Sequence, residues 1–325
     1  MANLSTTFAK LSLKNPFIVS SSGLTNSVDK IKKLEEAGAG AVVLKSIFEE
    51  QITMQTAQLD GYDSPESLDY LSTYVRSNAL NEHITLIQSA KKACNIPVIA
   101  SVNCYSNHEW EDFAKLLEEA GADAIELNIL SLQTCKDYQY GSFEQLHIDT
   151  LKRIKKVVNI PVIMKLGSNF TNPVALIQQL YANGADAVVL FNRFYQPDIN
   201  LQSLSFISTN VMSAANELAD RLRWTALASA EVPQIDYAIS GGVHQGKSLI
   251  KSILVGATAV EACTTIYQGG EKQIGIILKE LEEWMDENGF ETIAQMKGKM
   301  NAAMAGGGNP FERTQFMKYF SNHQG

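Results

Sequence analysis

Residues Leu116 to Asn128 read LLEEAGADAIELN. A helix-forming run stops at Gly121, and Ala124 to Leu127 follow as a short apolar strand that ends at the polar Asn128. Glycine is the residue that most readily closes a helix in the left-handed conformation. Strands that are apolar on both faces belong to a parallel sheet covered by helices. The same unit occurs three more times, as LEEAGAGAVVLKS from Leu34 to Ser46, LYANGADAVVLFN from Leu180 to Asn192 and ILVGATAVEACT from Ile253 to Thr264.

A second pattern alternates with the first: NIPVIASVN begins at Asn95 and NIPVIMKLG at Asn159. These starts lie 64 residues apart, and Gly121 and Gly184 lie 63 apart, so a two-strand unit repeats as a whole. That period is longer than those of solenoids. Strands are expected at Phe17–Ser21, Ala41–Lys45, Val98–Val102, Ala124–Leu127, Val162–Lys165, Ala187–Phe191, Asp236–Ile239 and Ala259–Cys263. Helical patterns fill the gaps, at Val28–Ala37, Glu109–Ala120, Thr150–Val158, Pro173–Asn183, Ser213–Ser229, Ser248–Val255 and Gln273–Asn288. Eight strands alternating with helices give an α/β fold, a (β/α)₈ TIM barrel. A doubly wound open sheet would more often carry a Gly-rich dinucleotide turn after its first strand.

Residues 1–299 form one expected barrel domain, and 300–325 a C-terminal extension read as a tail or arm. Two long βα loops, Phe48 to Asn81 and Asn192 to Met212, fall where barrels place lids and substrate walls. The chain has 325 residues and a formal net charge of −8, which argues against a nucleic-acid partner. Apolar runs are shorter than the ~18 residues of a membrane span. The N-terminus lacks the apolar core of a signal peptide. The four cysteines show no CxxC spacing, so free thiols, no metal site and a cytoplasmic location are expected.

In a barrel of parallel strands, chemistry sits where the strands end. The eight ends carry Ser20-Ser21-Ser22-Gly23, Lys45-Ser46, Ser101-Val102-Asn103, Asn128 with Ser131 beyond it, Lys165, Asn192-Arg193, Ser240-Gly241-Gly242 and Cys263-Thr264-Thr265. Gly241-Gly242 is either a tight turn or a phosphate cradle. The cradle reading gains from its place, because barrels bind phosphate after strands seven and eight. Lys45 and Lys165 are either structural ion pairs or cations for a developing negative charge. Asn128 either ties down its loop or hydrogen-bonds a substrate or cofactor. Ser131 is a candidate base, with Cys135 its rival because a thiol loses its proton more readily.

The ordered segments PFIVSSSG, VVLKS, IELNILS, VIMKLG, ISGG and GATAVEACTTIYQGG resemble the dihydroorotate dehydrogenase family, especially its soluble class 1 branch, over roughly Leu4 to Lys299. The resemblance implies an FMN-dependent barrel enzyme of pyrimidine biosynthesis that oxidises dihydroorotate to orotate. A base would remove one proton while hydride passes to flavin N5. It implies that Ser21, Ser22, Gly23, Ser46, Ser101, Asn128, Lys165 and Ser240 approach the flavin, and that Lys45 lies between flavin and substrate. Gly241, Gly242, Cys263 and Thr264 would hold the phosphate, and Asn128 and Asn192 the substrate. Ser131 aligns with the family's base position. The expected partners are a small-molecule substrate, a soluble electron acceptor and a second copy in a homodimer. The chain departs from the family in four places. Asn-Leu-Ser-Cys-Pro-Asn reads Asn128-Ile129-Leu130-Ser131-Leu132-Gln133, the Asn-x-x-Gly-x-x-Asn signature is absent after strand two, Asn192 is followed by Arg193, and the Gly-rich segment preceding strand seven's helix is replaced by Ser213 to Ser229. These leave open an FMN barrel acting on another ring or enone, or a non-catalytic flavin-binding paralogue.

Overall fold

A computed structural model describes residues 2–48, 80–103, 110–208, 211–306 and 311–312. Most of the first long loop and most of the C-terminal extension therefore lie outside the described residues. Eight parallel strands close into a ring: β1 (Phe17–Val19), β2 (Ala41–Val43), β3 (Val98–Asn103), β4 (Ala124–Asn128), β5 (Val162–Leu166), β6 (Ala187–Leu190), β7 (Asp236–Ser240) and β8 (Ala259–Ala262). Each pairs with the next, and β8 pairs with β1 to close the barrel. Between them run α1 (Val28–Glu36), α2 (80–93), α3 (Trp110–Glu119), α4 (Ser142–Val157), α5 (Pro173–Ala182), α6 (Leu218–Glu231) and α7 (Gly246–Leu254). The short α8 (Thr264–Gly269) and the long α9 (Lys272–Glu287) follow β8. The expected (β/α)₈ barrel is the observed one.

Alternation along the strands decides what faces where, because successive side chains point to opposite faces. Val19, Val42, Val98, Ile125, Val162, Val188, Ile239 and Val260 join the outer core under the helices. Ile18, Val43, Ile99, Ala124, Ile163, Val189, Ala238 and Ala259 fill the barrel interior instead. An N-terminal hairpin, Thr6–Phe8 paired with Leu11–Leu13, adds Phe8, Ala9 and Leu13 to that interior cluster. The Ala9 N–H donates to Asp236 at the start of β7 (3.0 Å), and Lys10 pairs with Asp186 just before β6 (2.6 Å). The hairpin thus covers the end where the strands begin, and the mouth is the end where they finish.

Helix α4 starts at Ser142, eight residues earlier than the Thr150 that the sequence pattern suggests. Its buried residues Phe143, His147, Leu151 and Ile154 lie on one helical face, and Gly141 at φ +84° starts the turn. The polar run before Thr150 hides this face. The His147 ring is buried, packs edge-on to Phe143 and Phe170, and donates from Nδ1 to the Phe143 carbonyl at 2.8 Å. Burial lowers its pKa from 6.5 to about 4, and does the same to His83 in α2. Each histidine must therefore be neutral in the folded state. Their contribution is intact above pH 6.5 and is lost as pH falls towards 4, on the order of 3 kcal/mol per histidine at most. We expect the melting temperature to fall between pH 6.5 and 4.5, with a shallower slope in His147→Phe, as read by thermal scans at fixed ionic strength.

The loop after β6 contains a two-stranded antiparallel ribbon, Pro197–Asn200 with Ser205–Ser208, that carries exposed Ile199, Leu201, Leu204 and Phe206. Just past residue 299, Met300 and Ala302 are still tied to the barrel. The Met300 N–H donates to Leu254 O (2.7 Å), the Ala302 N–H to Ala226 O (3.0 Å), and Ala302 is buried.

Candidate active site

The parity that places Ile99, Ala124, Ile163 and Ala259 inside the barrel places Ser101, Glu126, Lys165 and Glu261, two residues further along each strand, inside it as well. All four are buried. They form a polar layer above the apolar one. Lys165 Nζ lies 2.6 Å from Glu261 Oε2 and 3.4 Å from Glu126 Oε1. Ser101 Oγ donates to Glu126 Oε1 at 3.2 Å. Hydroxyls continue the network outward, from Ser101 to Ser46 (2.8 Å) and from Ser46 to Ser21 (2.9 Å). The Ser46 N–H also donates to Ser21 Oγ (2.9 Å). Glu126 Oε2 and Glu261 Oε1 are buried without a hydrogen-bond partner.

The electrostatics of this layer follow from burial. Burial pushes the Glu126 carboxyl well above the carboxylate range, and the Glu261 charge adds to the effect more than Lys165 offsets it. For Lys165, burial opposes the charge, but the two carboxylates prevail and hold the ammonium above its usual pKa. Lys165 is therefore held as a cation, and of its two acidic neighbours Glu126 is the one whose surroundings favour the protonated form. An ammonium has three donors, and two are spent on the carboxylates.

Above this layer lies a cavity of about 130 Å³, whose walls include Ser21, Lys165, Asn192, Gly241, Glu261 and Thr264. Ser240 and Cys263 also line it. Nine residues expected from the strand ends thus share one cavity: Ser20, Ser21, Lys165, Asn192, Arg193, Ser240, Gly241, Cys263 and Thr264. Ser46 and Ser101 are tied to it through Ser21. Asn128 is tied to it through Asn192, whose Nδ2 donates to Asn128 Oδ1 at 2.9 Å. Lys45, exposed at the end of β2, does not line it. Nor do Ser22, whose Oγ accepts from the Leu24 N–H (3.3 Å), and Gly23. Ser131 is half-buried in the loop after β4, where its Oγ accepts from Gln133 Nε2 (3.3 Å) and its carbonyl from Asn169 Nδ2 (3.0 Å). Cys135 is exposed.

The Gly-Gly turn is held from behind. Gly241 and Gly242 adopt φ +93° and +78°. Arg221 of α6 donates to Ser240 O (3.1 Å) and Glu217 O (2.9 Å), and pairs with Glu217 Oε2 (3.3 Å). Glu217 also pairs with Arg193, which connects this turn to the chain after β6 (3.2 Å). Ser213 bridges to Thr264 Oγ1 (3.2 Å) and His244 Nε2 (3.2 Å).

Against this geometry, comparison with known proteins is decisive. Residues 3–285 match the family described as Dihydroorotate dehydrogenase. The chain belongs to the dihydroorotate dehydrogenase family. It is 32% identical over 311 residues to the catalytic subunit of dihydroorotate dehydrogenase B (NAD(+)) of Thermoplasma volcanium, covering 92% of this chain and 98% of that protein. The corresponding subunit of Methanocaldococcus jannaschii is 25% identical, over 91% of this chain and 97% of that one. NAD-dependent dihydropyrimidine dehydrogenase subunit PreA of Escherichia coli K12 is 24% identical, over 92% of this chain and 77% of that one. Membership in the family makes the chain an oxidoreductase of the class that acts on CH–CH groups. Among the described residues no helix is long and apolar enough to cross a membrane, and no cluster of His, Cys, Asp and Glu could hold a metal ion.

Glu126 and Glu261 are the members of this buried polar layer that the strand-end reading passes over. Each is a lone acid inside an otherwise apolar strand, AIELN and AVEA. A charge in a strand buried on both faces is itself the signal, because acids are almost never fully buried unless paired. Arg221 and Glu217 carry no such mark, since on an amphipathic helix they look like solvated side chains.

Proposed function

We propose that this chain is an FMN-dependent dehydrogenase that oxidises dihydroorotate to orotate. The carrying observation is the cavity that joins Lys165 and the polar strand ends to the Gly241 turn and to Cys263-Thr264. The residues suit the cofactor. Main-chain groups of Gly241, Gly242, Cys263 and Thr264 suit a phosphate, helped by positive φ at both glycines. Hydroxyls of Ser21 and Ser240 and the remaining donor of Lys165 suit the polar edge of a flavin ring. When bound, FMN supplies the two-electron acceptor.

The chain's own groups then position the substrate and move its proton. Asn192 Oδ1 accepts from the Arg193 N–H (2.8 Å) while its Nδ2 holds Asn128 Oδ1. The carboxamide NH₂ of Asn128 is left to donate to a planar substrate's carbonyl edge. Ser131 Oγ takes the substrate proton as its own hydroxyl proton passes to solvent at the rim of the mouth, and the Gln133 amide that it accepts from stabilises charge developing on that oxygen. Lys45, exposed at the end of β2 and outside the cavity lining, would meet a bound ring and substrate only from the rim. The exposed apolar ribbon at Ile199, Leu201, Leu204 and Phe206 suits a second copy in a homodimer. The acceptor is taken as soluble, of the NAD(+) type named for the Thermoplasma volcanium relative, and the setting as cytoplasmic.

A second reading, oxidation of a dihydropyrimidine without the carboxylate, is favoured by the likeness to PreA and by the altered loop after Asn128. In the FMN-loaded protein, Ser131→Ala is expected to slow anaerobic flavin reduction by at least about a hundred-fold, the low end for loss of a general base. Cys135→Ala should leave the rate unchanged. Stopped-flow bleaching checks this, and the reverse pattern would transfer the role to Cys135.

A further inference from the structure

The hydroxyls of Ser21, Ser46 and Ser101 form an unbroken line between the mouth cavity and Glu126, with steps of 2.9, 2.8 and 3.2 Å. Each step is within hydrogen-bond length. Ser46 and Ser101 are buried, while Ser21 lines the cavity. We propose that Ser101, Ser46 and Ser21 conduct protons between the mouth and Glu126, which serves as an internal proton store beneath the site.

A hydroxyl has one donor and two acceptor positions, so the line can be satisfied in two orientations. Pointing inward, Ser21 donates to Ser46, Ser46 to Ser101 and Ser101 to Glu126 Oε1. Pointing outward, Glu126 O–H donates to Ser101, Ser101 to Ser46 and Ser46 to Ser21. Ser21 Oγ accepts the Ser46 N–H in both cases and in the outward state turns its own proton to the cavity. Moving from outward to inward breaks the Glu126 O–H bond, passes one proton along each hydroxyl and delivers one proton from Ser21 to water in the mouth. The reverse move refills the store, and no redox partner is needed.

The charged neighbours make the store reversible. Glu126 on β4 faces Ser101 from β3, Lys165 from β5 and the Glu261 charge from β8. Glu261 and burial favour the protonated form, while Lys165 makes the ionised form tolerable. The unpartnered Glu126 Oε2 marks a carboxyl whose second oxygen is not committed to an ion pair. An oxidation that removes a hydride and a proton changes the charge at the mouth, and a store one layer below can balance it.

The proposal concerns the chain alone, so the full-length protein without added cofactor serves as the sample, and its failure would leave the flavin reading untouched. Infrared spectra at neutral pH are expected to show the carbonyl stretch of a protonated, buried carboxylic acid, absent in Glu126→Gln. On rapid mixing into D₂O the band should shift promptly in the wild type. In Ser101→Ala, and independently in Ser46→Ala, the shift should slow by at least about ten-fold, equivalent to about 1.4 kcal/mol of barrier. Ser101→Thr, which keeps a hydroxyl, should restore the rate. A missing band, a band that survives Glu126→Gln, or wild-type exchange in both alanine variants would overturn the proposal.

Discussion

Replacing Lys165 with methionine is expected to destabilise the protein by about 3–5 kcal/mol, the cost of leaving buried charge without its partner. The side chain sits between Glu126 and Glu261, and both of their unpartnered oxygens stay buried. Without the cation the Glu126 carboxyl, already raised by burial, binds its proton still more tightly in the folded state than in the unfolded chain. The sign follows: the defect is largest at neutral pH and shrinks as pH falls towards the unfolded-state value of about 4.3 for glutamate. Urea unfolding at several pH values reads this directly. The triple variant Glu126→Gln, Lys165→Met, Glu261→Gln removes the charges together and should recover most of the stability. It should not recover FMN affinity, because the cation proposed to meet the flavin edge is still missing.

Gly242→Ala is the second large effect. At φ +78° an alanine is strained, and its Cβ would lie 2.5 Å from the Leu218 N and 2.9 Å from the Leu218 Cα. These are backbone atoms at the start of α6, so the turn or the helix must move. The backbone conformation alone costs about 1–2 kcal/mol. Displacement of the turn should also lower FMN affinity by at least about ten-fold, or 1.4 kcal/mol. Gly141→Ala is the control. It has φ +84° with nothing within 4 Å of the added Cβ, so it should show the backbone cost and bind FMN normally. Fluorescence quenching on FMN titration separates the two variants.

The barrel was legible because its signals are local. Glycine-closed helix ends before Ala124, Ala187 and Ala259 mark where strands begin, and apolar runs mark where they pass between helices. Strand parity, once the barrel is granted, brings Ser21, Lys165, Asn192, Gly241 and Thr264 to one mouth. What stayed hidden depends on pairing across the ring. Lys165 reads alike as an ion pair or as a cofactor cation, and the structure shows that it is the first while lining the cavity expected of the second. Glu126 and Glu261 lie 135 residues apart, so only closure of the barrel makes them a pair. The start of α4 was missed because its first turn is polar, and its apolar face emerges only once Phe143 meets Phe170.

The proposed reaction needs FMN in the cavity over Lys165, presented to dihydroorotate. Anaerobic addition of dihydroorotate, and separately of dihydrouracil, to the FMN-loaded protein tests it through the flavin absorbance. The yellow colour is expected to bleach with dihydroorotate and far more slowly with dihydrouracil. Bleaching by dihydrouracil alone would move the assignment to the dihydropyrimidine reading, and a protein that does not bind FMN would rule out flavin chemistry here altogether.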